Sequence, residues 1–494
     1  MLGDIVNSQP VYVGKPFFKY DDSGYATFEN LSLNFSSGKV KNRPPIVIVG
    51  ANDGMLHAFH ASGPTGGREA WAFVPSAVTD NLYRLADRRY DARHKYFVDA
   101  TPTVADVKVG GVWRTILVSG LAKGGRGYFA LDITNTEHPQ LLWEFKASDA
   151  CFPQVLNSDC NVGLAYGNPV IGKLKSADGP EGDWVVVLSS GYNNVAPGDG
   201  KGYLYVLDVA TGKIRYRIGT GVGDAEKPSG LSPLAAFVKS PHTDATLERV
   251  YGGDLQGNLW RFDLNDVIAP AGREATLLAS LRSPNGIPQS IVVRPELGEV
   301  KGKPFVFVAT GKFLERPDLK DETVQSVYAI HDRLGSGLSK PRDELQQVAL
   351  KNVTLQNTQT RTTAKLPCSS GCSGENGWFI DLTGGERVSS ALRLQLGTLF
   401  FASNEPNGDQ CSPGGTGWLN YVDFRSGSAV LGHGARAAFK VDGAMIAGFS
   451  TVLSSTGDLT AVVVRSDSTI DTTRPDRPGG GSELRRMNWR EVLE

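Results

Sequence analysis

No run of about 18 apolar residues occurs in the sequence, so no segment reads as a membrane-spanning helix. Helical periodicity is nearly as scarce: only residues 77–86 (AVTDNLYRLA) read as a short helix on a rim. No excess of one charge exists. The 51 Lys and Arg against 52 Asp and Glu leave a net charge of −1, and no global field favours nucleic acid. No nucleophilic triad is evident, and the seven histidines are scattered. His57 and His60 lie three apart, which on a strand places them on opposite faces and makes them poor joint metal ligands. The five cysteines include no adjacent pair and no Cys-x-x-Cys-His haem site. The first residues, Met1 to Val6, carry no basic n-region and no apolar h-region, so a signal peptide and an N-terminal region are expected upstream of this chain.

What the chain has in quantity is glycine. The 58 glycines in 494 residues are about 12 %, against a usual ~7 %, and 27 prolines accompany them. They punctuate a repeated hairpin. Residues 250–264 (VYGGDLQGNLWRFDL) run from an apolar strand through a turn rich in residues that accept positive φ into an aromatic strand. Ile46–Phe59, Trp113–Asp132, Trp184–Asp208, Pro304–Ile330 and Leu396–Asp423 repeat the pattern. A strand before and a strand after each hairpin complete a four-stranded unit. One four-stranded sheet cannot bury both faces, whereas stacking with neighbours can. The run Tyr203–Asp208 (YLYVLD) has apolar groups on both faces, as a sandwiched sheet requires.

These repeats predict an all-β fold, a single seven-bladed β-propeller of four-stranded antiparallel blades over residues 1–494. The blades are expected near 9–75, 102–146, 168–219, 233–282, 289–351, 377–430 and 443–494. In the fifth, Ser290–Arg294 reads as the first strand and Gln346–Leu350 as the fourth. Residues 351–377 and 471–482 read as loop, and Met487–Leu493 as a strand that helps close the ring. A pair of β-sandwiches is the structural alternative.

The aspartates Asp132, Asp208, Asp263 and Asp423 recur at equivalent strand ends, and recurrence favours a turn-capping role over a unique catalytic one. Leu207–Tyr216 (LDVATGKIRY) resembles the repeat of pyrroloquinoline-quinone dehydrogenases, in which the Thr-Gly turn and the aromatic are structural. A periplasmic quinoprotein-like oxidoreductase is therefore the second reading. The adjacent Cys-Cys pair of those enzymes has no counterpart here.

Cysteines placed in loops suggest an oxidising compartment. Cys151 and Cys160 bracket a short loop and are expected to pair. Cys411 is expected to pair with Cys372 or Cys368, with Cys368–Cys372 as the other feasible bridge.

Several stretches in order resemble one family. Leu2–Gly14 (LGDIVNSQPVYVG), Val49–Phe59 (VGANDGMLHAF), Tyr128–Asp132 (YFALD), Gly253–Asp263 (GDLQGNLWRFD), Gln325–Ile330 (QSVYAI) and Arg485–Val492 (RRMNWREV) are similar to the C-terminal propeller of the PilY/PilC pilus-tip adhesins. The resemblance implies a non-enzymatic factor at the tip of a type IV pilus. Its expected partners are minor pilins and a host or abiotic surface ligand. Its expected place is the cell surface, outside or at the outer membrane, after export through the periplasm. It also implies a calcium loop ahead of the Gly-Asp-Leu turn. The corresponding positions are Ser240, His242, Asp244, Thr246 and Glu248, of which two carry carboxylates. Calcium, the implied cofactor, is expected to bind more weakly than about millimolar or not at all. The alternative is a relocated site completed by Asp318–Asp321. No Arg-Gly-Asp tripeptide supports integrin binding.

Overall fold

The computed structural model describes residues 2–33, 38–175, 182–231, 233–265, 268, 273–355, 357–368, 372–407, 414–430, 436–454 and 459–475. Strand makes up 46 % and helix 7 %. The chain divides into two units, one of Met1–Val250, Phe262–Ala275 and Val492–Glu494, the other of Tyr251–Arg261 and Thr276–Glu491. The division falls in the fourth repeat, whose strands are Ala235–Ser240, Asp244–Gly253, Asn258–Asp263 and Ala275–Ser280.

The first unit holds three antiparallel meanders. The first is Val11–Val13, Ile46–Gly50, Leu56–His60 and Glu69–Phe73. The second is Thr103–Val109, Val112–Gly120, Gly127–Asp132 and Gln140–Ala147, with Ser158–Asp159 added in parallel. The third is Val170–Leu174, Asp183–Ser189, Tyr203–Asp208 and Ile214–Gly219. A single parallel bridge, Lys173 to Thr246, joins the third sheet to the Asp244 strand. Apolar residues of the first sheet (Ile46, Ile48, Leu56) pack with those of the second (Leu117, Phe129, Leu131) in one buried cluster. Tyr203–Val206 and Leu207 are all buried, as the two-sided apolar pattern required. The expected rim helix is present as a 3₁₀ turn sequence, Ser76–Ala86.

In the second unit the fifth sheet differs from expectation. Its first strand is Glu296–Val300, not Ser290–Arg294. The Ile291 amide instead donates to the Asp254 carbonyl, and the Ser290 carbonyl accepts from the Gly311 amide. Its fourth strand is Gly377–Leu382, not Gln346–Leu350. Gln346–Leu355 instead pairs with Thr358–Lys365 as a hairpin and adds in parallel to Gly377–Leu382. Residues 351–355 and 358–365 are thus strand rather than loop, and Gly377–Trp378 belong to the fifth sheet. The sixth sheet is Arg393–Gln395, Thr398–Pro406, Gly415–Asp423 and Ala438–Val441. The last has three described strands, Ile446–Leu453, Leu459–Arg465 and Ile470–Thr473. The third of these occupies part of the expected 471–482 loop, and Met487–Leu493 lies outside the described residues.

Within each unit the junctions repeat one device. Asp132 Oδ1 accepts from the Thr134 amide at 2.9 Å, Asp208 Oδ1 from the Thr211 amide at 3.0 Å, and Asp423 Oδ1 from the Arg425 amide at 2.9 Å. Each aspartate thereby fixes the turn after a third strand. A tryptophan in the fourth strand of the preceding sheet then donates to that turn. Trp71 Nε1 reaches the Thr136 carbonyl at 2.8 Å, Trp143 the Val209 carbonyl at 2.9 Å, and Trp378 the Phe424 carbonyl at 2.9 Å. Gly212 has φ +67°, and a Cβ there would lie 2.6 Å from Trp143 Cδ2.

Cys151 and Cys160 form a disulfide. Cys372 is bonded to Cys368, which corrects the expected Cys372–Cys411 bridge. Their Cα atoms are 5.7 Å apart within one loop, inside the usual disulfide span. Cys411 itself lies outside the described residues. The Cys151–Cys160 loop carries Asp159, fully buried and 2.7 Å from Arg217 Nη1.

Two outcomes follow from these contacts. Gly212→Ala should lower stability by about 1–3 kcal/mol through positive φ and overpacking on Trp143, read by denaturant unfolding. An unchanged midpoint would contradict the junction. Replacing Cys151 and Cys160 together by serine should cost roughly 2–3 kcal/mol by the loop-entropy relation, read in the same way.

Candidate metal-binding loop

The stretch Ser240–Glu248 is a hairpin, with its turn at 241–243 and a continuous strand from Asp244 onward. The Thr243 amide closes the turn on the Ser240 carbonyl at 3.0 Å. Asp244, Thr246 and Glu248 alternate along one strand face. An extended chain separates Asp244 from Glu248 by roughly 13 Å, at ~3.3 Å per residue. Two carboxylates so placed cannot enter one coordination shell of 2.3–2.6 Å radius.

Their partners are also taken. Asp244 Oδ1 accepts from the Thr246 amide at 3.0 Å and from the Thr246 hydroxyl at 2.6 Å. Lys173 Nζ lies 3.2 Å from the same oxygen. Burial alone would raise the Asp244 carboxyl, but the Thr246 donors and the Lys173 charge outweigh it and hold the group below the ordinary carboxylate range. A carboxyl lowered by folding stabilises fully above its unfolded pKa of about 3.9 and loses that contribution as pH falls through the lower folded value. Glu248 lies 3.5 Å from Arg249 Nη1. His242 is exposed and meets the Phe17 ring edge-on at 5.9 Å. Ser240, Asp244, Thr246 and Glu248 therefore do not converge, and this donor set does not fit calcium.

At residues 318–321 the two aspartate carbonyls and the Asp318 carboxylate are already engaged. The Asp318 and Asp321 carbonyls both accept from the Arg387 guanidinium, which also reaches the Lys312 carbonyl at 3.2 Å and the Gly385 carbonyl at 3.0 Å. Asp318 Oδ2 accepts from the Leu314 and Glu315 amides at 2.8 and 2.9 Å. The turn residue Asp254 is fully buried and accepts from the Gln256 and Asn258 amides and from Trp260 Nε1, each at 2.9 Å. Burial pushes its carboxyl up. It is a turn-holding group. His57 is buried between Asp53 at 3.1 Å and Glu69 at 2.7 Å, while His60 lies outside that group. Among the described residues Cys151, Asp159 and Cys160 also lie close together, but both thiols are in the disulfide.

Sequence reasoning missed Lys173 and Asp22. Lys173 Nζ is 2.7 and 2.9 Å from the two Asp22 oxygens, and both side chains are almost fully buried. Asp22 sits in the segment between the strands Val11–Val13 and Ile46–Gly50. That segment is packed: Tyr20, Tyr25, Phe28 and Val40 are buried. Tyr20 lies 5.8 Å from Trp113 and 5.7 Å from Trp184, and the Tyr25 hydroxyl donates to Asp106 at 2.8 Å. The recurrent aromatics of residues 17–28 were the available signal.

Comparison with known proteins bears on the whole chain. A family model described as the PilY1 beta-propeller domain matches residues 2–365. The type IV pilus biogenesis factor PilY1 of Pseudomonas aeruginosa PAO1 is 31 % identical over 480 residues, covering 86 % of this chain and 38 % of that protein. A PilY1 homolog of Xylella fastidiosa Temecula1 is 30 % identical over 515 residues, covering 100 % of this chain and 39 % of that protein. The chain thus spans about two fifths of the length of the curated relatives it matches. The crystal structure of the P. aeruginosa PilY1 C-terminal domain aligns with a TM-score of 0.69 at 24 % identity, over 94 % of this chain and 99 % of that one. The repeated four-stranded sheets, the aspartate turns and this agreement along the sequence have one conclusion: the chain belongs to the PilY1 β-propeller domain family.

Proposed function

We propose that this chain is the propeller module of a type IV pilus biogenesis factor, working at the pilus tip in assembly, retraction control, surface attachment and twitching motility. The observation that carries the reading is similarity along the entire chain to a protein named a type IV pilus biogenesis factor PilY1 homolog. Residues 1–494 act as one binding module, with minor pilins and a host or abiotic surface ligand as partners. No catalytic step is assigned to it. Export through the periplasm to the cell surface suits the two disulfides, which persist in oxidising compartments. Among the described residues no helix is long and apolar enough to cross a membrane.

The quinoprotein-like oxidoreductase is the lesser reading, since no adjacent cysteine pair exists to sit beside a quinone. Deleting the gene segment for this chain in the bacterium that carries it should sharply reduce surface pili, counted by electron microscopy and by sheared pilin. Normal piliation and twitching in the deletion strain would refute the proposal. A stoichiometric bound quinone in the absorption spectrum of protein purified with added quinone would support the enzyme instead.

A further inference from the structure

We infer that the Lys173 ammonium is the resident cation of the Ser240–Glu248 hairpin, and that it fastens the segment 17–28 across the third sheet without metal. The chain contributes both sides of this latch. Lys173 and Thr246 face each other across the parallel bridge, so the lysine and the Asp244 turn are held on neighbouring strands. From the other side, the segment 17–28 brings two amides and one carboxylate. The Lys19 amide donates to the His242 carbonyl and the Asp21 amide to the Thr243 carbonyl, both at 2.9 Å. Asp22 meets Lys173 Nζ through both oxygens. The Trp184 ring lies 5.9 Å from the same ammonium.

This arrangement is self-contained. The one ammonium is shared by two carboxylates, Asp22 and Asp244, and its side chain is 4 % exposed. A lysine is rarely buried unless it is paired. Removing one partner of a buried pair leaves an uncompensated charge, so the pair is hard to open. A divalent ion at the turn would need six to eight oxygens. The two turn carbonyls that face the segment are already committed to amide donors, and an ammonium bonded to both carboxylates occupies the cation position. Metal entry would require release of residues 19–22. The carboxylates at the turn are thus matched by a cation supplied by the chain.

The latch covers aromatic surface. Tyr20 and Tyr25 lie over Trp113 and Trp184, Trp113 Nε1 donates to the Ser23 carbonyl at 3.0 Å, and Lys108 Nζ reaches the Ser23 hydroxyl at 2.9 Å. Opening the ion pair frees the segment from the hairpin and leaves Trp184 less covered.

Amide hydrogen exchange tests this directly, on wild-type protein and Lys173→Met, each in chelator and in millimolar calcium chloride. Wild type should protect the Lys19 and Asp21 amides equally with and without calcium. In Lys173→Met exchange at those two amides should accelerate by roughly a hundredfold, the scale set by loss of one partner from a buried pair. The strands of the first and second sheets should stay protected. Unchanged exchange in Lys173→Met, or wild-type protection that rises with calcium, would overturn the inference. Should Lys173→Met fail to fold, Asp22→Asn removes the partner on the segment alone. It should expose the same two amides, and if it does not the inference falls.

Discussion

A sheet with two apolar faces is stable only when both are covered, and the described structure meets that demand with a hydrogen bond from a tryptophan to an aspartate-held turn. The aspartate at the end of a third strand fixes the turn amides. The turn then presents a carbonyl to the indole of the neighbouring sheet, and at Trp143 and Trp378 a glycine in the same turn, Gly212 or Gly427, lets the ring lie close. Trp71, Trp143 and Trp378 are placed this way. A buried indole N–H without a partner is costly, so the bond fixes orientation as well as contact. The apolar clusters between the first and second sheets and between the fifth and sixth then fill in around these points.

The same economy governs the loops. Where backbone and carboxylate oxygens gather, a side-chain cation from elsewhere in the same unit satisfies them. Arg387 binds four carbonyls of the 312–321 and 385 loops. Arg261 pairs with Asp332 at 2.6 Å with both side chains 1 % exposed. Arg361 meets Glu386 at 2.7 and 2.8 Å and lies 4.0 Å over the Trp418 ring. Lys173 between Asp22 and Asp244 belongs to this set. These pairs serve position more than stability, since a buried ion pair gains little over an apolar replacement but costs much when one partner is lost. For the binding module proposed above, fixed loop position is the useful property.

Much of this was legible from residues alone. Hairpins such as IVIVGANDGMLHAF carry a β-branched strand before a turn sequence and an apolar one after it, and the structure places strands there. The aspartates 132, 208 and 423 were read as turn caps because they recur, and they cap turns. The fifth sheet was not legible in the same way. Gln346–Leu350 reads as the fourth strand, whereas Gly377–Leu382 takes that place, with Trp378 docked on a carbonyl 46 residues further along. The Lys173–Asp22 pair joins residues 151 positions apart, beyond any local pattern. The calcium reading could be narrowed by counting carboxylates, but only the strand geometry shows that Asp244 and Glu248 point to separate partners. For Cys372, two bridges fitted the spacing, and the structure takes the shorter one.

A crystal structure of the protein grown or soaked in calcium, with anomalous data, tests most directly the claim that side-chain cations, rather than metal, satisfy the oxygens of these loops. The account predicts Lys173 Nζ within hydrogen-bonding distance of Asp22 and Asp244, with no anomalous peak at the Ser240–Glu248 hairpin. A calcium peak there, with Lys173 turned away and residues 19–22 displaced, would contradict it.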